Sequence, residues 1–290
     1  MVEEAWKRWG EDDERGALNL IGVEETRYAT SLVCEGRIVS LAQPISNVMP
    51  TPPKRAKPQH VMDRDADYYT AGVRAPGGFQ YADDTLMLPL HLGTHIDCLC
   101  HVWYGERLYN GFVKDSIRST GAIRCDATTM GPIVTRGVLL DFVALNGGPL
   151  ADGEVITAVM LQALLSQNNI TIRRGDAVLV RTGWSEHHLS NGTADFNTEP
   201  GIDLEAGLVL AQADIALLGA DNYAIEVLPF ASGTVFPVHQ RLIRDYGIPL
   251  LEGLMLKELA GTGRNEFLFV TSPLPIEGAT ASPVAPVAIL

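Results

Sequence analysis

Three of the seven histidines and one aspartate of this chain lie within eleven residues, at His91, His95, Asp97 and His101. Residues two apart on an extended backbone point to the same side, so the side chains of His95 and Asp97 project together. A turn at Gly93 can bring His91 back to meet them. Two imidazole nitrogens and one carboxylate oxygen suit zinc or manganese, and three protein ligands leave positions open for water and substrate. The spacing therefore predicts a catalytic metal site.

His101 lies six residues beyond His95 and is predicted to stand outside the set of metal ligands. A divalent ion lowers the pKa of its bound water from ~15.7 toward ~7 and polarises a carbonyl oxygen, which makes hydrolysis of an amide or ester accessible. With an unperturbed pKa of ~6.5, His101 suits the transfer of a proton from this water to the leaving atom. A role as a fourth metal ligand is the alternative.

Two other classes of protein remain open for the same residues. Two histidines and one carboxylate also form the facial triad of mononuclear non-haem iron oxygenases. Such oxygenases usually take their second histidine from a distant part of the chain, so the compact spacing favours a hydrolase. A non-catalytic metal-binding or ligand-binding protein is the third possibility.

The four cysteines, Cys34, Cys98, Cys100 and Cys125, are too few for a disulfide framework in a chain of 290 residues. A structural zinc site that uses Cys98 and Cys100 is an alternative use of two of them. Cys34 and Cys125 are isolated in the sequence, and no second closely spaced pair occurs. We therefore expect the cysteines to be reduced thiols that do not form a structural zinc site.

The chain is acidic and has the composition of a packed protein. Hydrophobic residues make up 46% and charged residues 20%, whereas disordered chains are poor in apolar residues and highly charged. A net charge of −13 argues against a nucleic-acid partner, because phosphate backbones require a basic surface. The amino terminus lacks the pattern of a secretory signal, and no apolar segment reaches ~18 residues. We expect a cytoplasmic protein with a small-molecule substrate, no membrane span and no nucleic-acid partner.

Short apolar runs and periodic stretches alternate along the whole chain. Strands are predicted over 37–41, 137–142, 176–181, 215–219 and 267–270. Helices are predicted over 23–34, 156–166, 204–213 and 238–246. Regular strand-helix repeats and phosphate-binding glycine motifs are absent from the sequence. We therefore predict an α/β fold with an irregular sheet in a single domain over 1–290.

Two further features concern the surroundings of the site. Residues 50–78 have little periodicity and are predicted to form a long loop, either a lid or substrate-facing arm or a passive surface excursion. Phe79, Tyr81 and Trp103 flank the histidine-rich segment. They are candidates for an aromatic wall beside a flat substrate, and the alternative is that they belong to the core.

The segment His-Leu-Gly-Thr-His-Ile-Asp-x-x-x-His at 91–101 resembles the signature of the metal-dependent cyclase superfamily. This superfamily includes bacterial kynurenine formamidases, isatin hydrolases and some dienelactone hydrolases. Segments 109–112, 136–141, 180–184 and 218–221 are also similar to recurring segments of the family. The resemblance covers the chain from about residue 6 to its end.

The resemblance implies a swivelling β/β/α fold with a barrel-like mixed core covered by helices. It implies that His91, His95 and Asp97 hold a metal ion and that His101 donates and accepts the proton. The implied reaction is hydrolysis of a C–N or C–O bond in a small cyclic amide, lactone or aryl formamide, such as an isatin-like or N-formylkynurenine-like compound. A homodimer or homotetramer is also implied.

The number of metal ions depends on which branch of the superfamily the chain resembles. In the formamidase branch a second ion lies between the equivalents of Asp97, His239 and Glu252, and the last two are thirteen residues apart here. Leu99 stands where formamidases commonly have proline. The length and the acidic, Trp-containing start are similar to the isatin-hydrolase branch, in which a single manganese is expected. The resemblance thus implies one or two Mn²⁺ or Zn²⁺ ions per chain.

Overall fold

The apolar runs of the sequence form the centre of a mixed sheet in a computed structural model, which describes residues 5–70, 72, 74–192 and 194–290. The strands are β1 (Ile38–Ser40), β2 (Gln59–Arg64), β3 (Asp83–Met87), β4 (His95–Asp97), β5 (Ile117–Arg118), β6 (Gly121–Ala122), β7 (Ile133–Asp141), β8 (Val155–Ile156), β9 (Ala177–Arg181), β10 (Gly201–Ile202), β11 (Leu217–Ala220), β12 (Leu250–Glu252), β13 (Glu266–Thr271), β14 (Ala281–Pro283) and β15 (Val287–Ile289). The helices are α1 (Val23–Thr30), α2 (Ala66–Thr70), α3 (Phe142–Asn146), α4 (Ala158–Gln167), α5 (Trp184–Asn191), α6 (Leu204–Gln212), α7 (Pro237–His239) and α8 (Lys257–Ala260).

Nine strands form one sheet in the order β1-β15-β13-β7-β9-β11-β12-β4-β14. The four central strands β7, β9, β11 and β12 are parallel to one another, and the flanking strands pair antiparallel. Every residue of β9 and β11 is buried, which is typical of parallel strands that are covered on both faces. The predicted α/β fold with an irregular mixed sheet is confirmed.

The register of β4 sets the position of the histidine-rich segment in the sheet. His95 pairs with Glu252 of β12 on one side and with Pro283 of β14 on the other. Asp97 pairs with Ala281. Two strands that are more than 150 residues apart in sequence therefore bring the candidate ligands His95 and Glu252 side by side.

The predicted strands and helices agree with the structure except near their ends. The helix predicted over 23–34 ends at Thr30, and Gly36, with φ of 70°, leads into β1. The helix predicted over 238–246 corresponds to the end of α7 and to a π-helix, Gln240–Tyr246, that follows it directly. It ends at Gly247, whose φ of 65° is readily adopted only by a residue without a β-carbon.

The prediction of a structureless loop over 50–78 is wrong. This segment contains β2, which pairs antiparallel with β3, and it also contains α2. The residues of β2 are exposed except for the half-buried Arg64, so the strand lacks the apolar alternation by which a half-buried strand is recognised. Residues 71 and 73 of this segment lie outside the described residues. Residues 1–4, part of the amino terminus that we predicted to carry no secretory signal, lie outside them as well. Among the helices that the structure describes, none has the length and apolar content needed to cross a membrane.

Candidate metal centre

The histidine-rich segment folds so that His91, His95 and Asp97 converge. His95 and Asp97 are alternate residues of β4, and both side chains are almost completely buried. Gly93, with φ of 69°, forms the turn before the strand and turns the chain back. His91 Nδ1 consequently lies 2.7 Å from Asp97 Oδ1, and His95 Nε2 lies 3.6 Å from the same oxygen. The structure thus brings together the three side chains that the spacing predicted to meet.

Glu252 and His239 complete the same cluster. Glu252 ends β12, and its Oε2 lies 3.3 Å from His95 Nε2. Its Oε1 lies 3.1 Å from the Nε2 of His239, a buried residue at the end of α7. His239 Nε2 is also 3.7 Å from Asp97 Oδ2. The five predicted ligands therefore form one connected cluster, although their binding of a metal remains a prediction.

The other ring nitrogen of each of these three imidazoles is occupied by the surrounding protein. The contacts are His91 Nε2 with Thr280 Oγ1 (3.0 Å), His95 Nδ1 with the Gly93 carbonyl (2.9 Å) and His239 Nδ1 with Glu226 Oε1 (2.7 Å). A carbonyl can only accept, so His95 Nδ1 carries the proton and its Nε2 is free to act as a ligand. Such outer contacts are the usual way in which proteins orient metal-binding histidines.

Several buried polar atoms at this point have no hydrogen-bond partner. Both carboxylate oxygens of Asp97 and the Nε2 of His95 lack one among the described residues. The short contact of Asp97 with His91 does not have the direction of a hydrogen bond. Burying such groups without partners is costly, and a divalent ion would satisfy them. Two overlapping groups, His91-Asp97-His101 and His95-Asp97-Glu252, each have their ligand atoms within 4.8 Å of one another. The donor set fits a divalent ion, and Asp97 belongs to both groups.

The electrostatics of the cluster favour ionised carboxylates. Burial would raise the pKa of Asp97, but the neighbouring His101 and His91 outweigh it and hold this pKa well below its usual range. The neighbouring imidazoles of His239 and His95 likewise lower the pKa of Glu252 against the effect of burial. Burial opposes a charge on His239, yet its two carboxylate partners raise its pKa to about 10. The buried carboxylates thus require positive charge beside them.

His101 lies at the exposed side of the cluster. Its Nε2 is 3.8 Å from Asp97 Oδ2, and its ring centre is 4.0 Å from that of His91. The side chain is 28% exposed, compared with 1% for His95. Desolvation lowers the pKa of His101 to about 4, although Asp97 opposes this shift. A neutral imidazole at this position can accept a proton at neutral pH, while its membership of one ligand group keeps the role of fourth ligand geometrically possible.

The model of the Cyclase family matches residues 39–227, which is more than half of the chain. The chain belongs to the cyclase family. The matched range contains the segment 91–101, so the resemblance seen in the sequence is confirmed. No curated protein matches the chain.

Solved structures of cyclases and hydrolases share this fold. A crystal structure described as a novel cyclase is 36% identical, with a TM-score of 0.92, over 99% of this chain and 100% of that chain. Isatin hydrolase A from Ralstonia solanacearum is 23% identical with a TM-score of 0.62, over 87% and 91% of the two chains. A protein described as a predicted metal-dependent hydrolase, from Bacillus stearothermophilus, is 20% identical with a TM-score of 0.57, over 87% and 97%. The last two similarities show the fold alone.

The cysteines take no part in the candidate metal groups among the described residues of this family member. Cys98 and Cys100 are buried in the core. The Sγ of Cys98 lies 3.6 Å from the Sδ of Met130, and the Sγ of Cys100 lies 3.8 Å from the carbonyl oxygen of Ala279. The structure therefore supports packing roles for these two thiols.

The aromatic residues beside the site are different from those predicted. Phe79, Tyr81 and Trp103 are between 41% and 61% exposed, so they belong neither to the core nor to the pocket beside His95. That pocket is lined instead by Trp184, Phe196 and Tyr223. These residues come from three separate parts of the chain, and the sequence offers no local pattern that links them.

Glu226 is a site residue that the sequence analysis missed. It is 1% exposed and accepts hydrogen bonds from the backbone N–H groups of Val238 and His239 as well as from the His239 ring. The available signal was an acidic residue inside the apolar run 224–228, because buried acids are rare without partners. Glu226 fixes both the backbone and the ring orientation of His239.

Replacing Glu226 with glutamine is expected to weaken metal binding about 10- to 100-fold, the usual effect of removing a partner of a ligand. The neutral amide places an N–H donor where one carboxylate oxygen now accepts, so His239 loses its fixed orientation. Metal affinity can be measured by competition with a chelating dye, and melting of the metal-free protein reports on folding. Glu205→Gln, an exposed residue of α6, is the matched control. Equal affinities of Glu226→Gln and the wild-type protein would contradict the role of Glu226.

Proposed function

We propose that this protein is a metal-dependent hydrolase that cleaves a C–N or C–O bond of a small cyclic amide, lactone or aryl formamide. The observation that supports this most is the convergence of three oriented imidazoles on two buried carboxylates. The structural similarity to isatin hydrolases and to a metal-dependent hydrolase agrees with it. The expected substrates are isatin-like or N-formylkynurenine-like compounds.

We assign the ligands by the two carboxylate oxygens of Asp97, because His91 and His95 contact Oδ1 whereas His239 contacts Oδ2. His91, His95 and Asp97 would hold one Mn²⁺ or Zn²⁺ ion, and Asp97 with His239 and Glu252 would hold the second ion if the chain binds two. A divalent ion, when bound, lowers the pKa of its water and polarises a carbonyl oxygen. The five side chains fix the position of that chemistry, since all except His91 are nearly completely buried.

His101 is assigned the transfer of the proton. As the water oxygen forms its bond to the carbonyl carbon, the neutral His101 accepts a proton from this water. It then donates the proton to the nitrogen or oxygen that leaves when the C–N or C–O bond breaks. The products are a carboxylic acid and an amine or an alcohol, which remain joined when the substrate is cyclic. General acid–base catalysis of this kind contributes ~10²–10⁴ in rate.

The donor set also separates this proposal from an iron oxygenase. The facial triad of those enzymes consists of two histidines and one carboxylate. Here a third imidazole, His239, and a second carboxylate, Glu252, lie in contact with the predicted triad. No observation on the described residues specifically favours the oxygenase.

Metal content is the direct test of the proposed function. Plasma mass spectrometry of protein purified without chelator or nickel is expected to find one or two divalent ions per chain in the wild-type protein and none in His95→Ala. Hydrolysis of isatin, N-formylkynurenine or a lactone should disappear with chelation and return with Mn²⁺ or Zn²⁺. His60→Ala, which removes an exposed histidine paired with Asp84, is the control and should keep its metal. Wild-type protein without stoichiometric metal after reconstitution, or oxygen uptake with ferrous iron, would contradict the proposal.

A further inference from the structure

A short loop between β11 and α7, residues 222–226, leads to Glu226 and contains a strained residue. Ile225 has a φ of 61° although it is β-branched and completely buried. A β-branched residue in the left-handed region is sterically costly, and it persists only where the surrounding structure holds it. Ile225 directly precedes Glu226, whose carboxylate accepts hydrogen bonds from the backbone and the ring of His239. The conformation of the 222–226 loop therefore determines where this carboxylate lies.

Glu199 holds the middle of this loop through its side chain, which is completely buried. Its Oε2 accepts a hydrogen bond from the N–H of Tyr223 (3.0 Å), and its Oε1 accepts one from the N–H of Ala224 (2.7 Å). The backbones of Glu199 and Leu228 exchange two further hydrogen bonds, of 3.1 and 3.0 Å. Glu199 is thus fixed beside the loop, and its carboxylate sets the direction of two successive peptide N–H groups.

The start of the loop is held separately by Asn222. The Asn222 side chain donates to the carbonyl of Pro200 (2.7 Å) and accepts from the N–H of Ile225 (2.9 Å). Its carbonyl oxygen accepts a hydrogen bond from the N–H of Gly253, the residue after Glu252 (2.9 Å). Loss of the Glu199 contacts would therefore leave the beginning of the loop and the adjacent end of β12 in place.

Glu199 is a third buried acid close to the metal cluster. Burial raises its pKa well above the usual value, the N–H groups of the loop oppose this rise, and the nearby Glu252 adds to it. A buried carboxyl group lowers the stability of a protein unless hydrogen bonds offset the loss of water. The hydrogen bonds from the loop supply this compensation, so Glu199 and the loop depend on each other.

The loop is connected to one imidazole of the cluster and not to the other two that hold outer contacts. His239 is oriented by Glu226, at the end of the loop. The outer contacts of His91 and His95 are made by Thr280 and by the Gly93 carbonyl, which lie elsewhere in the chain. A disturbance of the loop is therefore expected to reach His239 first.

We propose that Glu199 is a positioning residue that holds the 222–226 loop so that Glu226 orients the His239 ring toward Asp97 and Glu252. The proposal rests on the proposed function for the role of this cluster in binding metal, and it adds a residue that acts on the cluster through Glu226. The orientation of the His239 ring itself does not depend on a bound ion. The proposal can therefore be tested both with and without metal.

The hydrogen bond from His239 to Glu226 can be measured in the metal-free protein by NMR with isotope-labelled histidine. The buried Nδ1–H of His239 is expected to give a slowly exchanging signal, which is assigned by its loss in His239→Asn. Glu199→Gln puts an amide NH₂ group against one of the two loop N–H groups and should lose this signal to exchange with water. Glu25→Gln is the matched control, because Glu25 also accepts a backbone N–H, that of Gly22 before α1, and this variant should keep the signal.

A shorter acid at the same position tests whether the acceptor oxygens matter. Glu199→Asp keeps both oxygens on a side chain that is one methylene shorter, so its His239 N–H should exchange faster than in the wild-type protein and more slowly than in Glu199→Gln. An unchanged His239 signal in folded Glu199→Gln would overturn the proposal. If Glu199→Gln does not fold, an unchanged signal in Glu199→Asp overturns it instead.

Metal affinity shows whether Glu199 acts through Glu226. Glu199→Gln is expected to weaken metal binding about 10- to 100-fold, as the loss of Glu226 itself does, in competition with a chelating dye. The double variant Glu199→Gln/Glu226→Gln should bind metal as Glu226→Gln alone does, because effects within one chain of contacts do not add. If the two losses multiply, Glu199 supports the protein in general and the proposal is overturned. Wild-type protein that binds no metal would contradict the proposed function, while the NMR signal would still decide on Glu199.

Discussion

Asp97→Asn is expected to leave the protein without stoichiometric metal and without hydrolytic activity. Asp97 lies 2.7 Å from His91, 3.6 Å from His95, 3.7 Å from His239 and 3.8 Å from His101, measured between ring nitrogens and carboxylate oxygens. It also belongs to both groups of candidate ligands. The amide removes the central negative charge from a buried site. We expect metal affinity to fall by more than about 100-fold, since even residues that only support a ligand cost ~10–100-fold.

The measurement is metal content and hydrolysis rate after dialysis against a weak chelator. Asp84→Asn is the matched control because Asp84 also contacts a histidine, His60, but does so on the surface. This control should retain metal and activity. Melting of the metal-free proteins shows whether Asp97→Asn is folded. A folded Asp97→Asn protein with full metal content would rule out the assigned site.

His101→Ala is expected to lower kcat by about 10²–10⁴ while the metal content stays at the wild-type level. His101 stands at the exposed side of the cluster, and desolvation lowers its pKa to about 4, so the ring is neutral at neutral pH. Without it, the proton must pass to bulk water. KM should change much less than kcat, because the lost interaction belongs to the transition state.

Metal analysis of His101→Ala decides between the two roles that the sequence left open. Retained metal with a low kcat supports proton transfer. Loss of metal would show instead that His101 is a fourth ligand. His187→Ala, which removes an exposed histidine of α5, is the control and should behave as the wild-type protein does.

The sequence predicted the arrangement of the histidine-rich segment because its geometry is local. His95 and Asp97 are two residues apart on a strand, and Gly93 supplies the turn that returns His91. Alternation along an extended backbone and the freedom of glycine at positive φ do not depend on the rest of the fold. The buried strands and the four helices were also predicted correctly apart from their ends, because their apolar patterns reflect a covered sheet.

The pairing of β2 with β3 was missed because it is not recorded in a local apolar pattern. Their residues are largely exposed on both faces, so no apolar alternation records that the two strands pair. Local propensity alone does not distinguish such a pair of exposed strands from a polar loop. Its formation depends on pairing between residues about 25 apart in sequence.

The sequence by itself determined the family, the α/β class and the core of the candidate site. His239 and Glu252 entered only through the family resemblance, and Glu226 was not recognised. Only the tertiary structure decided that the register of β4 against β12 puts Glu252 beside His95, and that Glu226 holds His239. These contacts join residues that are distant along the chain or that carry no periodic pattern. Strand register and burial, which depend on the whole sheet, bring them together.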